Sequence, residues 1–265
     1  MTMPRSMPCT DGFRARLQAG DVMMGTFLKT PSSIVCEVLG FTPLACVCID
    51  AEHAPFGRVE LDGCIAAFRA ADMPCLVRVQ TANAGEILTA LDSGATGVVF
   101  PHVITGAQAA TMAQAARYAD NTSNYNGTRG YAASSRSARY TNTTMAQHIA
   151  HSNQTVVAIA QIEDAQALKH LDDIAATVGI DCLFVGRMDL TVSLGAASAT
   201  DPIVMAAVEQ ICAAGKRHGK PVGMFFPATE TCSFWQAKGA TFFMLASDQQ
   251  FIQDGAKALV ERLKL

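Results

Sequence analysis

The sequence carries little charge and has no strongly basic segment. Charged residues make up 16% of its 265 positions, and 20 basic against 23 acidic side chains leave a net charge of −3. Nucleic acid is therefore not an expected partner. No apolar run reaches about 18 residues, so we predict no membrane span. The first residues also lack the apolar core of a secretion signal, and we expect a cytoplasmic protein.

A C-x-x-C pair is also missing, although the chain has nine cysteines. Their number is odd and several lie inside apolar runs, which indicates buried thiols in a reducing compartment rather than disulfides or a zinc site. Half of the residues are hydrophobic. With so few charges, this composition suggests additional buried surface, so we expect a homo-oligomer.

Neither G-x-G-x-x-G nor G-x-x-x-x-G-K-[ST] occurs, which argues against the alternative of an open doubly wound sheet. Short apolar segments instead alternate with helical segments, as in a (β/α)8 barrel. Residues 1–265 are expected to form one such domain, interrupted by a single long loop at about 120–140. The predicted strands are Val22–Leu28, Ala45–Ile49, Cys75–Val79, Gly97–Phe100, Thr155–Ala160, Cys182–Val185, Pro221–Phe225 and Thr241–Leu245.

Helices are predicted between these strands, one of them stopped by Gly40. The predicted helices are Phe13–Ala19, Ser32–Leu39, Val59–Ala71, Ala84–Leu91, Gly106–Tyr118, Thr144–His151, a segment ending at about Ile174, Pro202–His218, Ala228–Lys238 and Gln249–Leu263.

The stretch Cys46–Gly57 gives the first indication of function. A short buried strand leads directly into Asp50, Glu52 and His53, and then into a turn. Two carboxylates and an imidazole are costly to place at the end of a buried strand unless they take part in chemistry. Catalytic groups of a (β/α)8 barrel lie at the carboxyl ends of its strands. Four other polar residues lie at such ends, namely Arg78, Gln161, Glu163 and Asp189.

Glu163 and Asp189 are candidate metal ligands. Two converging carboxylates repel each other unless a cation or a proton lies between them. With Gln161 nearby and no thiolate cluster, Mg²⁺ or Mn²⁺ fits best. Taken singly, each carboxylate is at least as well explained as a helix N-cap. Taken together, they favour a metal site.

Arg78, His53 and Asp50 are candidate catalytic residues. Arg78 is a fixed cation that could stabilise developing negative charge, although a buried ion pair is the alternative. His53 is interpreted as an acid or base oriented by Asp50, against the alternative of a structural histidine. Glu52 could serve the outer shell of a metal or pair with Arg78.

The long loop contains Gly127-Thr128-Arg129-Gly130. Since it follows the fourth strand on the catalytic face, it is interpreted as a lid that carries a substrate-binding Arg129. The alternative is a solvated, mobile loop.

Five motifs, in order, resemble the HpcH/HpaI aldolase family: IDAEHAP, LVR, GTRG, AQIED and VGRMDL. The resemblance runs from about Gly25 to Leu245. It implies a (β/α)8 barrel of the phosphoenolpyruvate/pyruvate-binding type, hexamers with an exchanged C-terminal helix, and dependence on Mg²⁺, Mn²⁺ or Co²⁺. The implied reaction cleaves a 4-hydroxy-2-oxo acid into pyruvate and an aldehyde.

The same resemblance assigns roles to the candidate residues. Glu163 and Asp189 would bind the metal, which pyruvate chelates, and Arg78 would stabilise the enolate oxygen. His53, oriented by Asp50, would act as acid or base through a metal-bound water. The remaining implied positions are Gln161, Gly186 and Met188 in the pyruvate pocket, and Asp92, which would reach a neighbouring subunit's site.

Arg187 departs from the family pattern, which usually has proline after this glycine, and the added cation could bind an acidic substrate. Three alternatives stay open. One is a Schiff-base aldolase using Lys29, the only lysine at a predicted strand end. Another is a citryl- or malyl-CoA lyase, for which Arg136 and Arg139 would be the basic residues available. The third is a non-catalytic sensor of small acids.

Overall fold

The structure is a computed structural model that describes residues 9–120, 125–226 and 232–263. Eight parallel strands pair in chain order and close into a barrel, as predicted. The strands are β1 Met23–Leu28, β2 Cys46–Asp50, β3 Cys75–Arg78, β4 Gly97–Phe100, β5 Val157–Ile162, β6 Cys182–Val185, β7 Val222–Phe226 and β8 Ala240–Ser247.

Helices surround the barrel and follow most of its strands. The described α-helices are α1 Cys9–Ala19, α2 Ser33–Gly40, α3 Arg58–Ala70, α4 Ala84–Asp92, α5 Gly106–Ala115, α6 Met145–Thr155, α7 Leu171–Ala176, α8 Arg187–Ser193, α9 Pro202–Arg217, α10 Cys232–Ala237 and α11 Asp248–Arg262. Short 3-10 helices cover Arg139–Thr141 and Ala165–His170. None of the helices in the described ranges combines the length and apolar character needed to cross a bilayer.

The core has two layers because successive strand residues point to opposite sides of the sheet. On β2, Val47 and Ile49 pack outward against the helices, whereas Cys46 and Cys48 fill the barrel interior. Phe13 of α1 belongs to the interior cluster and packs edge-on against Phe242 of β8. The eight cysteines from Cys36 to Cys232 are buried free thiols, as predicted for that part of the chain.

Several helices begin at residues whose side chains satisfy free backbone N–H groups. Thr105 and Gln108 form a capping box at α5, and Asn83 accepts a hydrogen bond from the backbone N–H of Glu86 at α4. At the other end of α2, Gly40 is the last helical residue. The prediction that Gly40 stops this helix is therefore wrong by one residue.

Several other boundaries differ from the predicted ones by a few residues. β5 begins at Val157 instead of Thr155, because α6 continues through Thr155, and it extends through Gln161 to Ile162. Helix α8, directly after β6, was not predicted. The predicted helix Ala228–Lys238 is observed as α10, and its first four residues, 228–231, lie outside the described ranges.

Candidate active site

Asp50 and Arg78 lie side by side at the mouth of the barrel. They are register partners on β2 and β3, and both continue the inward-facing series of their strands, which places their side chains inside the barrel. Arg78 donates from Nε at 3.0 Å to Asp50 Oδ1, and its Nη2 lies 2.8 Å from the same oxygen. The guanidinium also lies over the ring of Phe27, at 5.0 Å. Its position is therefore fixed from two sides.

The charge on Asp50 is compensated although the side chain is fully buried. Burial opposes its ionisation, but Arg78 outweighs burial, so the pKa of Asp50 is lowered. Lys29 Nζ lies 3.1 Å from Oδ2 as a second cation. Burial likewise disfavours the charged guanidinium of Arg78, and Asp50 outweighs this, so the pKa of Arg78 is raised.

Asp50 holds the backbone of His53 rather than its ring. The carboxylate accepts a hydrogen bond from the His53 backbone N–H at 3.1 Å. The imidazole Nε2 instead lies 3.7 Å from Glu52 Oε2, and about half of the side chain is exposed. The interpretation that Asp50 orients the imidazole is corrected, because Asp50 fixes the turn that carries His53.

Gln161 and Glu163 form a buried pair at the end of β5. Gln161 Nε2 donates to Glu163 Oε2, and the amide Oε1 of Gln161 is buried without a hydrogen-bond partner among the described residues. Burial raises the pKa of Glu163 above its usual range. Gly186 follows β6 beside this pair, and a Cβ at that position would overlap Glu163 Oε2. Glycine is needed there because the carboxylate approaches so closely.

A cavity of about 160 Å³ opens at this end of the barrel. It brings together six of the predicted site residues: His53, Arg78, Gln161, Gly186, Met188 and Asp189. Asp50 lies beneath Arg78, and Glu163 lies behind Gly186. The cavity wall also contains Phe27, Lys29, Phe184, Arg187 and Phe225.

Arg129 is not part of this wall. Its Nη2 lies 2.8 Å from Asp92 Oδ1 and its Nη1 donates at 3.0 Å to Ser152 Oγ. The guanidinium also packs on the Tyr118 ring at 4.6 Å, and only 1% of the side chain is exposed. The interpretation of Arg129 as a substrate ligand on a lid is corrected. Within this chain its contacts with Asp92 and Ser152 hold the loop against helices α4 and α6.

The structure adds His102 and Glu52 to the site. His102 follows β4 by two residues and Glu52 follows β2 by two, so both lie at the carboxyl ends of the barrel strands. The ring of His102 lies 3.4 Å from Glu52 Oε1 and 3.6 Å from Glu163 Oε1. Glu52 Oε2 also contacts Arg78 Nε at 3.3 Å, one of its two predicted roles. In the sequence, the signal for this position is that His102 directly follows Pro101 at the end of a predicted strand.

Arg187 and Arg136 both have partners within the chain. Arg187 donates from Nε and Nη2 to the carbonyl of Ala199 at 3.0 and 2.6 Å and stacks on Trp235. Burial lowers the pKa of Arg187. Arg136 Nη2 lies 2.7 Å from Asp62 Oδ2. In the CoA-lyase alternative, the adenosine part of CoA could bind Arg136 only by competing with this ion pair.

The donor set fits a divalent cation. Glu163 is a buried carboxylate, Gln161 Oε1 is a buried acceptor without a partner, and Asp189 faces the same cavity as Gln161. Oxygen donors of this kind are the preferred ligands of hard divalent ions.

Known proteins resemble this chain along nearly its whole length. The sequence model of the family described as HpcH/HpaI aldolase/citrate lyase matches residues 23–254. A 5-keto-4-deoxy-D-glucarate aldolase of Klebsiella pneumoniae is 32% identical over 253 residues, which cover 95% of this chain and 96% of the relative.

Solved structures share the fold as well. An HpcH/HpaI aldolase/citrate lyase family protein from Burkholderia cenocepacia has a TM-score of 0.90 at 29% identity, covering 96% of this chain and 99% of that one. The citrate synthase SbnG has a TM-score of 0.83 at 28% identity, covering 94% and 96%. Carbon–carbon bond chemistry is thus named for more than one protein that resembles this chain.

Proposed function

The chain belongs to the HpcH/HpaI aldolase/citrate lyase family, and from this membership we propose that its barrel mouth cleaves a 4-hydroxy-2-oxo acid into pyruvate and an aldehyde. The prediction of a metal-dependent aldolase, a carbon–carbon lyase, is confirmed by the family and by its aldolase relatives. The observation that carries the site assignment is the fixed cation Arg78, which faces one cavity with Gln161 and Asp189. A substrate that develops negative charge on an oxygen suits this arrangement.

Glu163 and Asp189 are the proposed ligands of Mg²⁺, Mn²⁺ or Co²⁺. A divalent cation there supplies Lewis-acid polarisation of the keto group and offsets the charge of the enolate. Two observations support this position: Gln161 Oε1 is a buried acceptor without a partner among the described residues, and the absence of a Cβ at Gly186 lets the Glu163 carboxylate lie next to the cavity wall.

Arg78 binds the keto oxygen as it becomes an enolate oxygen. Asp50 holds the guanidinium in place before reaction, so little reorganisation is needed when charge develops. His53 is the proposed base for the C4 hydroxyl proton, and it lines the cavity with a half-exposed ring. The backbone at Gly186 and the Met188 side chain border the pyruvate subsite.

A homo-oligomer, a hexamer or a trimer, is proposed from two apolar surfaces. Helix α11 is exposed along nearly its whole length, including Ile252 at 64% and Val260 at 62%. Helix α2 exposes Ile34 and Val38, and Phe41 next to it is 91% exposed. Apolar surface of this extent favours burial between subunits. A single domain is proposed because all eight strands lie in one closed sheet, and the cytoplasmic location stays a prediction.

The proposed activity is tested by a pyruvate-release assay over a panel of 4-hydroxy-2-oxo acids. We expect pyruvate to form from at least one of them, to stop with EDTA and to return with Mn²⁺. Activity that survives EDTA and is trapped by borohydride would identify the Schiff-base alternative at Lys29. Cleavage only of CoA thioesters would identify the citryl- or malyl-CoA lyase alternative. Metal and pyruvate binding without turnover of any substrate would identify the sensor.

A further inference from the structure

His102 is held beside Glu163 in a backbone conformation that few residues adopt. Its φ angle is 54°, in the left-handed region that disfavours residues with a Cβ. The backbone N–H of His102 donates to Glu163 Oε1 at 2.8 Å, which keeps the residue in this conformation. Backbone strain of this kind persists where the surrounding structure requires it, and it is concentrated at functional sites.

The His102 ring lies among carboxylates from two other strand ends. Nε2 is 3.4 Å from Glu52 Oε1, whereas Nδ1 is 3.6 Å from Glu163 Oε1 and 3.0 Å from Asp164 Oδ2. One ligand atom each from Glu52, His102 and Glu163 lies within 4.8 Å of the other two. Across the described ranges, this is the one group of three or more His, Cys, Asp or Glu side chains that meets this condition.

The spacing and chemistry of the three groups fit a shared cation. A single ring nitrogen and one oxygen from each carboxylate lie within 4.8 Å of one another, and small side-chain rotations would bring them to the roughly 3–3.5 Å separation of ligands about 2.1 Å from a first-row ion. The Glu52 side chain is 9% exposed, with Oε2 beside Arg78 Nε and Oε1 beside His102 Nε2. Next to Glu163, the fully buried Gln161 has an Oε1 without a hydrogen-bond partner among the described residues, which is a second indication that the site receives a ligand.

We propose that His102, together with Glu52, completes the coordination of the divalent ion held by Glu163, so that this site has a nitrogen ligand. This inference rests on the proposed metal site. Imidazole is a better ligand for Co²⁺, Zn²⁺ or Fe²⁺ than for Mg²⁺, which prefers oxygen. The nitrogen ligand therefore selects a borderline first-row ion over Mg²⁺, whereas Glu163 and Asp189 alone would offer only oxygen.

The competing explanation is that His102 is a counter-cation. A protonated imidazole would balance the charges of Glu52, Glu163 and Asp164 at the same distances. In that state both ring nitrogens carry protons, and neither can bind a metal. The two explanations therefore differ in whether nitrogen is bonded to the ion.

The test uses the full chain stripped of metal. Mn²⁺-loaded protein is studied by electron spin-echo envelope modulation, which detects nitrogen bonded to the ion, and Mg²⁺ and Co²⁺ affinities are measured by calorimetry. We expect nitrogen coupling in the unmodified protein and in His53→Gln, and its loss in His102→Gln. Glutamine offers only an oxygen, so His102→Gln should weaken Co²⁺ binding about 10–100-fold and change Mg²⁺ binding little.

His170→Gln, a change at a partly exposed histidine of the short 3-10 helix Ala165–His170, is the matched control and should retain both affinities. Mn²⁺ binding without nitrogen coupling in the unmodified protein would overturn the inference and leave the proposed aldolase site intact. An unchanged Co²⁺ to Mg²⁺ ratio in folded His102→Gln would also overturn it. If the unmodified protein binds no divalent ion, both the inference and the proposed metal site fail. Should His102→Gln not fold, the unmodified protein and His53→Gln are both labelled with ¹⁵N-histidine. A change from ¹⁴N to ¹⁵N modulation in both shows that a histidine other than His53 is bonded to the ion, and no change in either overturns the inference.

Discussion

Arg78 places Nε and Nη2 at 3.0 and 2.8 Å from a single oxygen of Asp50, its register partner on the neighbouring strand. Strand pairing alone brings these two residues together, and their inward orientation follows from the alternation of side chains along each strand. The register of the two strands therefore places a fixed cation, Arg78, at the mouth of the cavity.

Arg78→Lys should lower kcat about 10²–10³-fold, because it keeps a charge but loses the planar fork that Asp50 and the enolate oxygen require. Mn²⁺ affinity should not change, since Arg78 is not a proposed ligand. Steady-state kinetics and calorimetry measure the two effects. Arg217→Lys is the surface control, because Arg217 pairs with Asp172 in an exposed position. Full turnover in Arg78→Lys would remove the enolate-stabilising role.

Gly186→Ala should weaken Mn²⁺ binding about 10–100-fold, the range typical of changes to residues that position a metal ligand without binding the metal themselves. The added methyl group would overlap Glu163 Oε2 and approach Gln161 Nε2 at 3.2 Å, so the carboxylate must move. Calorimetric titration of metal-free protein measures this loss. Gly63→Ala on α3 is the control, because a Cβ there meets nothing within 4 Å. Equal Mn²⁺ affinities in the two variants would show that Glu163 does not bind the ion.

His148 should make the protein less stable in acid. It is buried beside Tyr118, with Nε2 3.0 Å from the hydroxyl oxygen. Burial, reinforced by the charge of Arg129, lowers the pKa of His148. The stability that neutral His148 contributes is therefore fully present above the pKa of the unfolded chain, about 6.5. It is lost as the pH falls from there toward the lower pKa of the folded protein.

Thermal melts between about pH 7 and pH 5 should show this loss, with up to about 1.4 kcal/mol per unit of pKa difference. His148→Gln should reduce the slope of stability against pH over that range, whereas His170→Gln, at a partly exposed position, should not. An unchanged slope in His148→Gln would mean that the ring titrates as it does in the unfolded chain.

Charges placed on α11 should disrupt the proposed oligomer. Ile252→Asp and Val260→Asp introduce carboxylates at exposed apolar positions that subunit contact would bury. Light scattering should show a smaller assembly for both variants and an unchanged one for Gln253→Asp, which adds the same charge at an exposed polar position of α11. A monomeric unmodified protein would contradict the proposal outright.

The barrel could be predicted because most strands are short, largely buried apolar runs, as in β4, which is fully buried and whose observed bounds equal the predicted ones. Boundaries failed where polar residues are buried. Gln161 is fully buried inside β5, so hydrophobicity alone ended that strand too early. Helix α8 was missed because its seven residues have no side-chain N-cap and directly follow a strand.

The site was predictable where a residue's role depends on its strand position, as for Arg78 and Asp189 at the cavity. It was not predictable where the role depends on pairing. The sequence around Arg129 predicts a substrate ligand, but in the structure its guanidinium is bound by Asp92 and Ser152. His102 looked unremarkable because its carboxylate neighbours Glu52 and Glu163 come from distant parts of the sequence.

The most direct test of the account is a crystal structure with Mn²⁺ and pyruvate, read by the anomalous signal of the metal. We predict one peak about 2.0–2.3 Å from carboxylate oxygens of both Glu163 and Asp189, with Arg78 facing the keto oxygen. The peak should disappear in Glu163→Gln. Two carboxylates that point away from each other, with no peak between them, would contradict the central claim.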